Sequence, residues 1–545
     1  MTEQPADGDR PEWTPVPALP PDVVERFAVR VLDPVSAVSL PSGAAPRPTA
    51  YRGDRLLVRG LPGTERQEVL DQMSRVADGL GLRVRVDPRD DEVATALADG
   101  QGVAAEIMRD YWVTSVELVP AQGEDDALDP APVDVWPLLQ RLRATGRGDD
   151  EVGLDHLVVA CPDISGAPYW SGAPYWSGPP YWSVAPYWSG APYWSGAPYW
   201  SGAPVVSEYA SPGGGGRTPA ALTLRDPAHG ATRLERPPVV CCLDTGLGPH
   251  PWFADPASAT DRVEVNGVLL GLDGPMDTLP LPTTNPLDAA VAPYSGHGTF
   301  IAGMIRQQCP QARILGVPVM DGDGVVPESL LVRTLVALLV RHAQALTDDR
   351  PEDLIDVLSL SLGYYHEEPA DAAADPILRH VLTGYGRWGV CVVAAAGNDS
   401  TVTPFHPAGF AGQVAGFDRA VVPLVSVGAL NPNGTSVAYF SNAGSWVSCH
   451  RLGANVVSAL PTDLNGLHQP SARMQFMGQE RATIDPDDYS GGFGTWSGTS
   501  FAAPVLAGEL AQHLAEDATL PVVDRATTRD RGWNAVRAEL PDWKP

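Results

Sequence analysis

Three short segments each place a side chain that can do acid–base or nucleophilic chemistry beside small residues. Asp244 lies in PVVCCLDTG, His297 in SGHGTFIAGMI, and Ser500 in GTWSGTSFAAPV. A serine hydroxyl is a weak nucleophile at its own pKa, so it needs a neutral imidazole within hydrogen-bond reach to remove its proton. A carboxylate on the other ring nitrogen fixes the tautomer and stabilises the imidazolium. The three residue types therefore predict Ser500 as nucleophile, His297 as general base and Asp244 as its orienting partner.

A fourth segment supplies a hydrogen-bond donor of the kind that acyl transfer needs. The run GVCVVAAAGND ends at Gly397 and Asn398. A side-chain amide at that position can donate to an oxyanion as it develops, and removing one such donor costs about 10²–10³ in rate. We therefore expect Asn398 to contribute to an oxyanion hole.

The elements around these residues are those of an α/β fold. Between 237 and 520, apolar strand-like runs alternate with helical stretches, which is typical of a parallel sheet buried under helices. Functional groups in such sheets lie at the carboxyl ends of the strands. The runs predicted as buried strands are PVVCCLDTG, ARILGVPVM, IDVLSLSLG, GVCVVAAAGN and AVVPLVSVGAL.

The four motifs DTG, HGTxIAG, AAAGN and GTSxAAP, in this order, resemble those of the subtilisin-like serine peptidase family. The resemblance covers roughly 237–520. It implies a subtilisin-like parallel sheet with helices on both faces, and peptide hydrolysis through an acyl-enzyme. Phe300, after HGT, departs from many relatives at a position that should not affect the three catalytic side chains.

The resemblance also implies a substrate cleft. The family pairs the substrate backbone as an added β-strand, and main-chain pairing gives affinity with little sequence choice. Small residues on the other side suggest a roomy, apolar pocket for the residue before the cleaved bond. The residues expected to bind substrate are Ser361, Leu362, Gly363, Ala394, Ala395, Ala396 and Gly397.

The front half of the chain is predicted to contain one small α+β domain. Residues 1–50 are rich in proline, alanine and acidic residues, and are predicted to be mostly disordered. Residues 51–160 show the order β-α-β-β-α-β of the ferredoxin-like split βαβ pattern. Many relatives carry such a domain as a propeptide, a folding chaperone and inhibitor whose last strand enters the cleft.

Residues 161–236 form a repeat and linker region. The unit APYWSG recurs between 165 and 204 with six Tyr-Trp pairs, and SPGGGGR (211–217) follows as a flexible hinge. One interpretation is a spacer or interaction segment, since paired aromatic rings suit binding surfaces. The other is a tethered substrate, cut by the enzyme's own cleft. Residues 521–545 are predicted to be a short polar tail.

Charge and composition exclude several partners. Asp plus Glu number 66 against 37 Lys plus Arg, a net charge of −29 that repels nucleic acid. The longest apolar helical candidate is interrupted by Arg333 and Arg341, so no membrane span is expected. The N-terminus lacks a secretory pattern, which favours a cytoplasmic location. We expect protein or peptide substrates and neither metal nor cofactor. The competing hypothesis is a catalytically silent scaffold whose Tyr-Trp array binds a partner.

Overall fold

A computed structural model of the chain describes residues 14–15, 19–98, 102–121, 133–145, 151–161, 216–272, 291–368, 376–414 and 418–543. The predictions made for the Tyr-Trp repeats at 165–204 therefore lie outside the described residues.

The front domain is a sheet with helices packed against it. Its strands pair antiparallel in the order β5-β2-β4-β3. Helices α2 and α5 pack together over a core that includes Leu56, Met73 and Leu138. The elements are α1 (Pro21–Arg26), β1 (Val29–Val31), β2 (Ala50–Arg59), α2 (Thr64–Asp78), β3 (Leu82–Val86), α3 (Pro88–Ala98), α4 (Val103–Tyr111), β4 (Val113–Pro120), α5 (Val135–Arg143) and β5 (Val152–Ala160).

This domain begins earlier than the predicted position 51. The strand β1 pairs antiparallel with the start of β2, and Val23 in α1 is buried. A three-residue edge strand has too few residues to show an alternating pattern, so composition alone suggested disorder there. The four predicted strands and two predicted helices occur in the predicted order. Two further helices, α3 and α4, lie between the second and third of those strands.

The domain that carries the predicted catalytic residues, hereafter the catalytic domain, has a seven-stranded sheet whose pairs are all parallel, in the order β18-β17-β15-β13-β7-β11-β8. Helices cover both faces, and α6 packs against α10. The elements are β6 (Thr218–Pro219), β7 (Val239–Asp244), β8 (Ala259–Thr260), β9 (Glu264–Val265), β10 (Val268–Leu269), α6 (His297–Gln308), β11 (Arg313–Pro318), β12 (Val325–Pro327), α7 (Glu328–Asp348), β13 (Val357–Leu360), β14 (Leu362–Tyr365), α8 (Pro376–Arg387), β15 (Cys391–Ala395), β16 (Phe405–His406), α9 (Ala411–Val414), β17 (Val425–Leu430), β18 (Cys449–Leu452), β19 (Val456–Ala459), β20 (Arg473–Phe476), β21 (Gln479–Ala482), β22 (Phe493–Trp496), α10 (Thr499–Glu516) and α11 (Arg525–Glu539).

Two boundaries of this domain differ from the prediction. Thr218 pairs with Thr495, so the end of the predicted linker belongs to the catalytic domain. The predicted polar tail contains α11, which packs against α10 and buries Trp533 and Val536. Charged residues are frequent along this helix, so overall polarity concealed its apolar side.

One described helix, α7, has a length and composition that would suffice to cross a membrane, with a mean hydropathy of 1.3. Much of the helix is covered by protein, because 67% of the apolar 18-residue stretch over which this hydropathy is averaged is buried. Part of that cover comes from α4 of the front domain. Residues of α4 and α7, including Ile107, Met108 and Leu335, belong to one continuous apolar core.

The two domains also share a sheet. Strand β5 of the front domain pairs antiparallel with β14 and with β12 of the catalytic domain. The chain direction of β5 therefore carries its last residues toward the edge where β7 and β15 end. This continuity brings Cys161, the residue after β5, to the candidate active site.

Candidate active site

Asp244 and His297 form a buried hydrogen-bonded pair. Asp244 is the last residue of β7, and His297 is the first residue of α6. The Nδ1 atom of His297 lies 2.9 Å from each carboxylate oxygen of Asp244, and the Thr245 amide donates to Oδ1 of Asp244 at 2.8 Å. Donation from Nδ1 leaves the Nε2 lone pair available as a base. Gly296 precedes the helix with φ +82°, a conformation that favours glycine.

Ser500 lies beside this pair, on the first turn of α10. The packing of α6 against α10 brings the His297 ring within 5.3 Å of the Phe501 ring, centroid to centroid. The Ser500 hydroxyl donates to the Ser361 carbonyl oxygen at 3.4 Å. No hydrogen bond joins Ser500 to His297 within the described part of the chain. Catalytic hydrogen bonds are often long before substrate is in place, so this orientation is compatible with a nucleophilic role.

Asn398 is held so that its amide nitrogen points into the cleft. Its Oδ1 accepts from both the backbone N–H and the hydroxyl of Thr499, each at 2.8 Å. Its Nδ2 donates to the carbonyl oxygen of Cys161 at 3.4 Å. Because Thr499 precedes Ser500, the same helix start positions the amide and the hydroxyl. A peptide carbonyl therefore already lies on the predicted oxyanion donor.

The predicted substrate-binding strand is occupied by the chain itself. Ala160 pairs with Leu362 and Val159 with Gly363, and the Cys161 amide donates to the Ser361 carbonyl at 3.2 Å. A side chain at Gly363 would meet the carbonyl oxygen of His406, because a Cβ built there lies 2.3 Å from that atom. Glycine at 363 therefore permits this close backbone packing.

A second strand of the cleft was not predicted. Val325 pairs with Val159 and Val326 with Val158, while the Ala160 amide donates to the Gly324 carbonyl at 2.7 Å. Strand β5 thus lies between two catalytic-domain strands, β12 and β14. The only sequence feature that could have indicated β12 is the run VVP directly before an apolar helix. Three residues are too few to show the alternating pattern of a strand.

The small residues predicted to line the pocket lie in the core at the end of β15. Ala394 and Ala395 belong to that strand, the Ala396 carbonyl accepts from Asn442, and the Gly397 amide donates to the Thr499 hydroxyl at 3.0 Å. Gly397 has φ +98°, and a Cβ there would lie 2.4 Å from the Asn442 amide nitrogen. These bonds run within the catalytic domain, so lining of a substrate pocket by the four residues stays a prediction.

Comparison with known proteins places this site in a family. The model of the subtilase family matches residues 235–531, more than half of the chain. The chain belongs to the subtilase family. The matched range contains Asp244, His297, Asn398 and Ser500 in the order that the sequence motifs predicted.

Several curated subtilases and solved structures are similar to the chain. Serine protease AprX of Bacillus subtilis (strain 168) is 26% identical over 318 residues, which cover 54% of this chain and 60% of that protein. Subtilisin E of the same organism is 27% identical over 250 residues, covering 44% of this chain and 49% of its own length. A cold adapted subtilisin-like serine proteinase has a TM-score of 0.32 at 22% identity, covering 53% of this chain and 79% of that one. The chain thus spans about half to three fifths of the length of these two curated relatives.

Beside the cleft of this subtilase, His156 of the front domain is buried between two glutamates of the catalytic domain. Its Nδ1 lies 2.6 Å from Glu328 Oε2, and its Nε2 lies 2.9 Å from Glu367 Oε2. Burial alone would lower the pKa of His156, but the two carboxylates outweigh burial and raise that pKa to about 10. The sequence analysis missed this cluster, since 156, 328 and 367 are far apart in the chain and no motif surrounds them.

The same cluster contains the atoms best placed to hold a metal among the described residues. One ligand atom each from His156, His366 and Glu367 lies within 4.8 Å of the others. However, His156 already binds two carboxylates, and the Nδ1 of His366 accepts from the Glu368 amide at 3.1 Å. Charge balance between a protonated imidazole and the carboxylates accounts for the arrangement without an ion.

Proposed function

We propose that this chain is a serine endopeptidase that hydrolyses peptide bonds of protein or peptide substrates through an acyl-enzyme. One observation carries the proposal: the Cys161 carbonyl oxygen accepts from the Asn398 amide on a strand that is bound as a substrate would be. A carbonyl in that position is polarised by the amide, and the thiol of the same residue contacts Ser500. Family membership and the Asp244–His297 pair support the same reaction.

The residues would divide the reaction as follows. The Ser500 hydroxyl turns from Ser361 toward His297, gives its proton to Nε2, and its oxygen attacks the substrate carbonyl carbon. The Asn398 amide, together with N–H groups at the start of α10, stabilises the negative charge that develops on the carbonyl oxygen. His297 then protonates the leaving nitrogen. Water, deprotonated by the same imidazole, releases the acyl group from Ser500.

We further propose that the front domain inhibits this reaction. Strand β5 pairs with β12 and β14 from Leu157 to Ala160, and the Cys161 thiol contacts Ser500. The Cys161 thiol is itself buried, and burial raises its pKa to about 12 against the opposing hydrogen bonds of Thr499 and Ser500. A substrate can reach Ser500 only after this strand leaves. We therefore expect the full chain to be inhibited by docking, with the catalytic groups themselves intact.

A fluorophosphonate probe tests the activity. Ala160→Asp places a charge in the cleft contact of β5, beyond His156, the last residue of β5 that pairs with β2 of the front domain. This variant should therefore release the strand while the front domain stays folded. We expect rapid labelling of Ser500 in Ala160→Asp, slow labelling in the wild type, and none in Ala160→Asp with Ser500→Ala. Absence of labelling in the folded release variant would favour the scaffold hypothesis.

A second proposal concerns the repeats. The repeat region begins at residue 165, four positions after Cys161, so a short segment connects the array to the residue whose carbonyl lies at Asn398. We propose that the array is a tethered substrate. Because β5 occupies the cleft of the wild type, intact masses of Ala160→Asp with and without Ser500→Ala after incubation test this. Fragments spaced by one APYWSG unit in Ala160→Asp alone support cutting within the array. Unchanged masses in both proteins contradict it when Ala160→Asp is labelled by the fluorophosphonate probe.

A further inference from the structure

We propose that Arg217 is a positioning residue for the catalytic base, because it binds the turn before His297 and the Trp496 ring that packs against this base. Arg217 lies directly before β6, where the chain enters the catalytic domain. The inference rests on the peptidase activity proposed above and deepens it by adding a residue on which the rate depends. Arg217 acts through His297 and not on the substrate.

The guanidinium of Arg217 binds the turn that leads into α6. The side chain is fully buried. Its Nη2 donates to the Ala292 carbonyl oxygen at 2.8 Å, and its Nη1 donates to the Ser295 carbonyl oxygen. Within the turn, the Ser295 amide donates to the Ala292 carbonyl at 3.1 Å, and the His297 amide donates to the Tyr294 carbonyl at 3.0 Å. The two carbonyls bound by Arg217 therefore belong to the backbone that places the base.

The same guanidinium lies over the ring of Trp496, the last residue of β22. Its central carbon is 4.8 Å from the centroid of this ring, which is within the range of a cation–π contact. The Trp496 ring packs edge-on against the His297 ring, with centroids 5.3 Å apart. It also packs against Phe501, the residue after Ser500, at 5.1 Å. Arg217 thus contacts both segments, the one that carries the base and the one that leads to the nucleophile.

Strand pairing within the catalytic domain fixes the position of Arg217. Thr218 pairs with Thr495, and the Ala220 amide donates to the Phe493 carbonyl oxygen at 3.0 Å. These bonds place β6 beside β22 independently of the front domain. Cutting of the chain within the repeats would leave them in place, so the inference holds whether or not the front domain stays attached.

The two kinds of contact require arginine and not lysine. The planar guanidinium presents its N–H groups in fixed directions, so it can reach two carbonyl oxygens while one face lies on an aromatic ring. An ammonium group is a point charge without that fixed geometry. With lysine, the turn before His297 would be less firmly held. Because a misplacement of about 1 Å can cost on the order of 10² in rate, a small movement of the base should slow the chemical step.

Steady-state kinetics on a peptide in the release variant Ala160→Asp test the inference. We expect Arg217→Lys in this background to lower kcat about tenfold to a hundredfold. The KM should change less than about threefold, since the two carbonyls bound by Arg217 precede His297 and do not belong to β12 or β14, the strands expected to bind substrate. Unchanged kcat overturns the inference.

Arg531→Lys in the same background is the matched control. Arg531 is also buried, and it also donates to two loop carbonyls, those of Thr519 at 2.7 Å and Val522 at 3.4 Å. Both carbonyls follow the C-terminal end of α10, whereas Ser500 lies at its first turn. We expect Arg531→Lys to leave kcat unchanged, even where its melting temperature falls as far as that of Arg217→Lys. An equal loss of kcat in both variants, or an Arg217→Lys protein that does not fold, overturns the inference.

A second background tests whether Arg217 acts through the base. Where His297→Ala is combined with Ala160→Asp, the base is absent, so Arg217→Lys should change the residual kcat by less than about twofold. A loss as large as that measured with His297 present contradicts the positioning role. If the folded Ala160→Asp protein is not labelled by the fluorophosphonate probe, the proposed peptidase activity fails first, and the inference fails with it.

Discussion

At the scale of single residues, the amide of Asn398 is oriented by its neighbour rather than by the cleft. Both donors of Thr499 bind its oxygen, so the nitrogen must face the peptide carbonyl. The two functions of the side chain can therefore be separated by an isosteric change. Asparagine-to-aspartate substitution keeps the acceptor for Thr499 and removes the donor for the oxyanion.

We expect Asn398→Asp to lower kcat by about 10²–10³, because the developing charge loses a donor and meets a carboxylate. The melting temperature should change little, since the bonds to Thr499 persist. Steady-state kinetics on a peptide, measured in the Ala160→Asp background, check this. Unchanged kcat would exclude Asn398 from the oxyanion hole, and a rise in KM alone would indicate a role in ground-state binding.

His156 provides a pH dependence of docking. Its pKa is about 10 when the front domain is docked, against an ordinary value of 6.5. The docked state holds a proton that the free state loses, so docking is strongest below pH 6.5 and weakens as pH rises toward 10. Other groups face the cluster: Arg143 lies 3.4 Å from Glu367, His366 lies 3.3 Å from it, and burial lowers the pKa of His406.

Hydrogen exchange of β5 in the Ser500→Ala chain measures this effect without self-cutting. After correction for intrinsic exchange rates, protection of β5 should fall between pH 6.5 and values near 10. Glu328→Gln keeps an acceptor for His156 but removes a charge, so its protection should be lower at pH 6.5 and less dependent on pH. The same slope in both proteins would show that His156 does not govern docking.

At the scale of elements, the sequence predicted the parts whose chemistry or periodicity is local. The ends of β7 and β15 and the starts of α6 and α10 could be located because they carry the motifs. Strand β12 and helix α11 were not predicted, because neither shows a recognisable hydrophobic periodicity in the sequence. The docking of β5 could not be derived from local pattern, because it joins Ala160 to Leu362, about two hundred residues apart.

The start of α7 tests how strongly this docking depends on single contacts. Pro327 precedes the helix and provides no side-chain cap, so Asp155 of the front domain binds the free N–H of Ser329. Loss of a cap costs about 1 kcal/mol. Asp155→Ala should therefore raise the undocked population about fivefold and speed fluorophosphonate labelling by a similar factor.

Asp33→Ala is the matched control for this measurement. Asp33 also accepts from a backbone amide, that of Val35, but in an exposed turn of the front domain. Its loss should leave the labelling rate unchanged. Equal rates for both variants would mean that the bond from Asp155 to Ser329 contributes nothing to docking.

At the scale of the whole molecule, the repeats connect two docked domains of one chain. A tethered segment meets its own cleft at an effective concentration in the millimolar range for short flexible linkers. If the array is cut, the first-order rate constant should stay the same over about a hundredfold dilution of the protein. A rate proportional to protein concentration would show cutting between molecules instead.

The continuous apolar core between α4 and α7 has a consequence for any state in which the halves part. Ile107 and Met108 leave one side of that core, and Leu335 remains on the other. Separation would expose apolar surface of both domains to water, at a free-energy cost of roughly 25 cal/mol for each Å² exposed. A separated catalytic domain would then tend to self-associate or to bind another protein over this surface. Its solubility would therefore be lower than that of the intact chain.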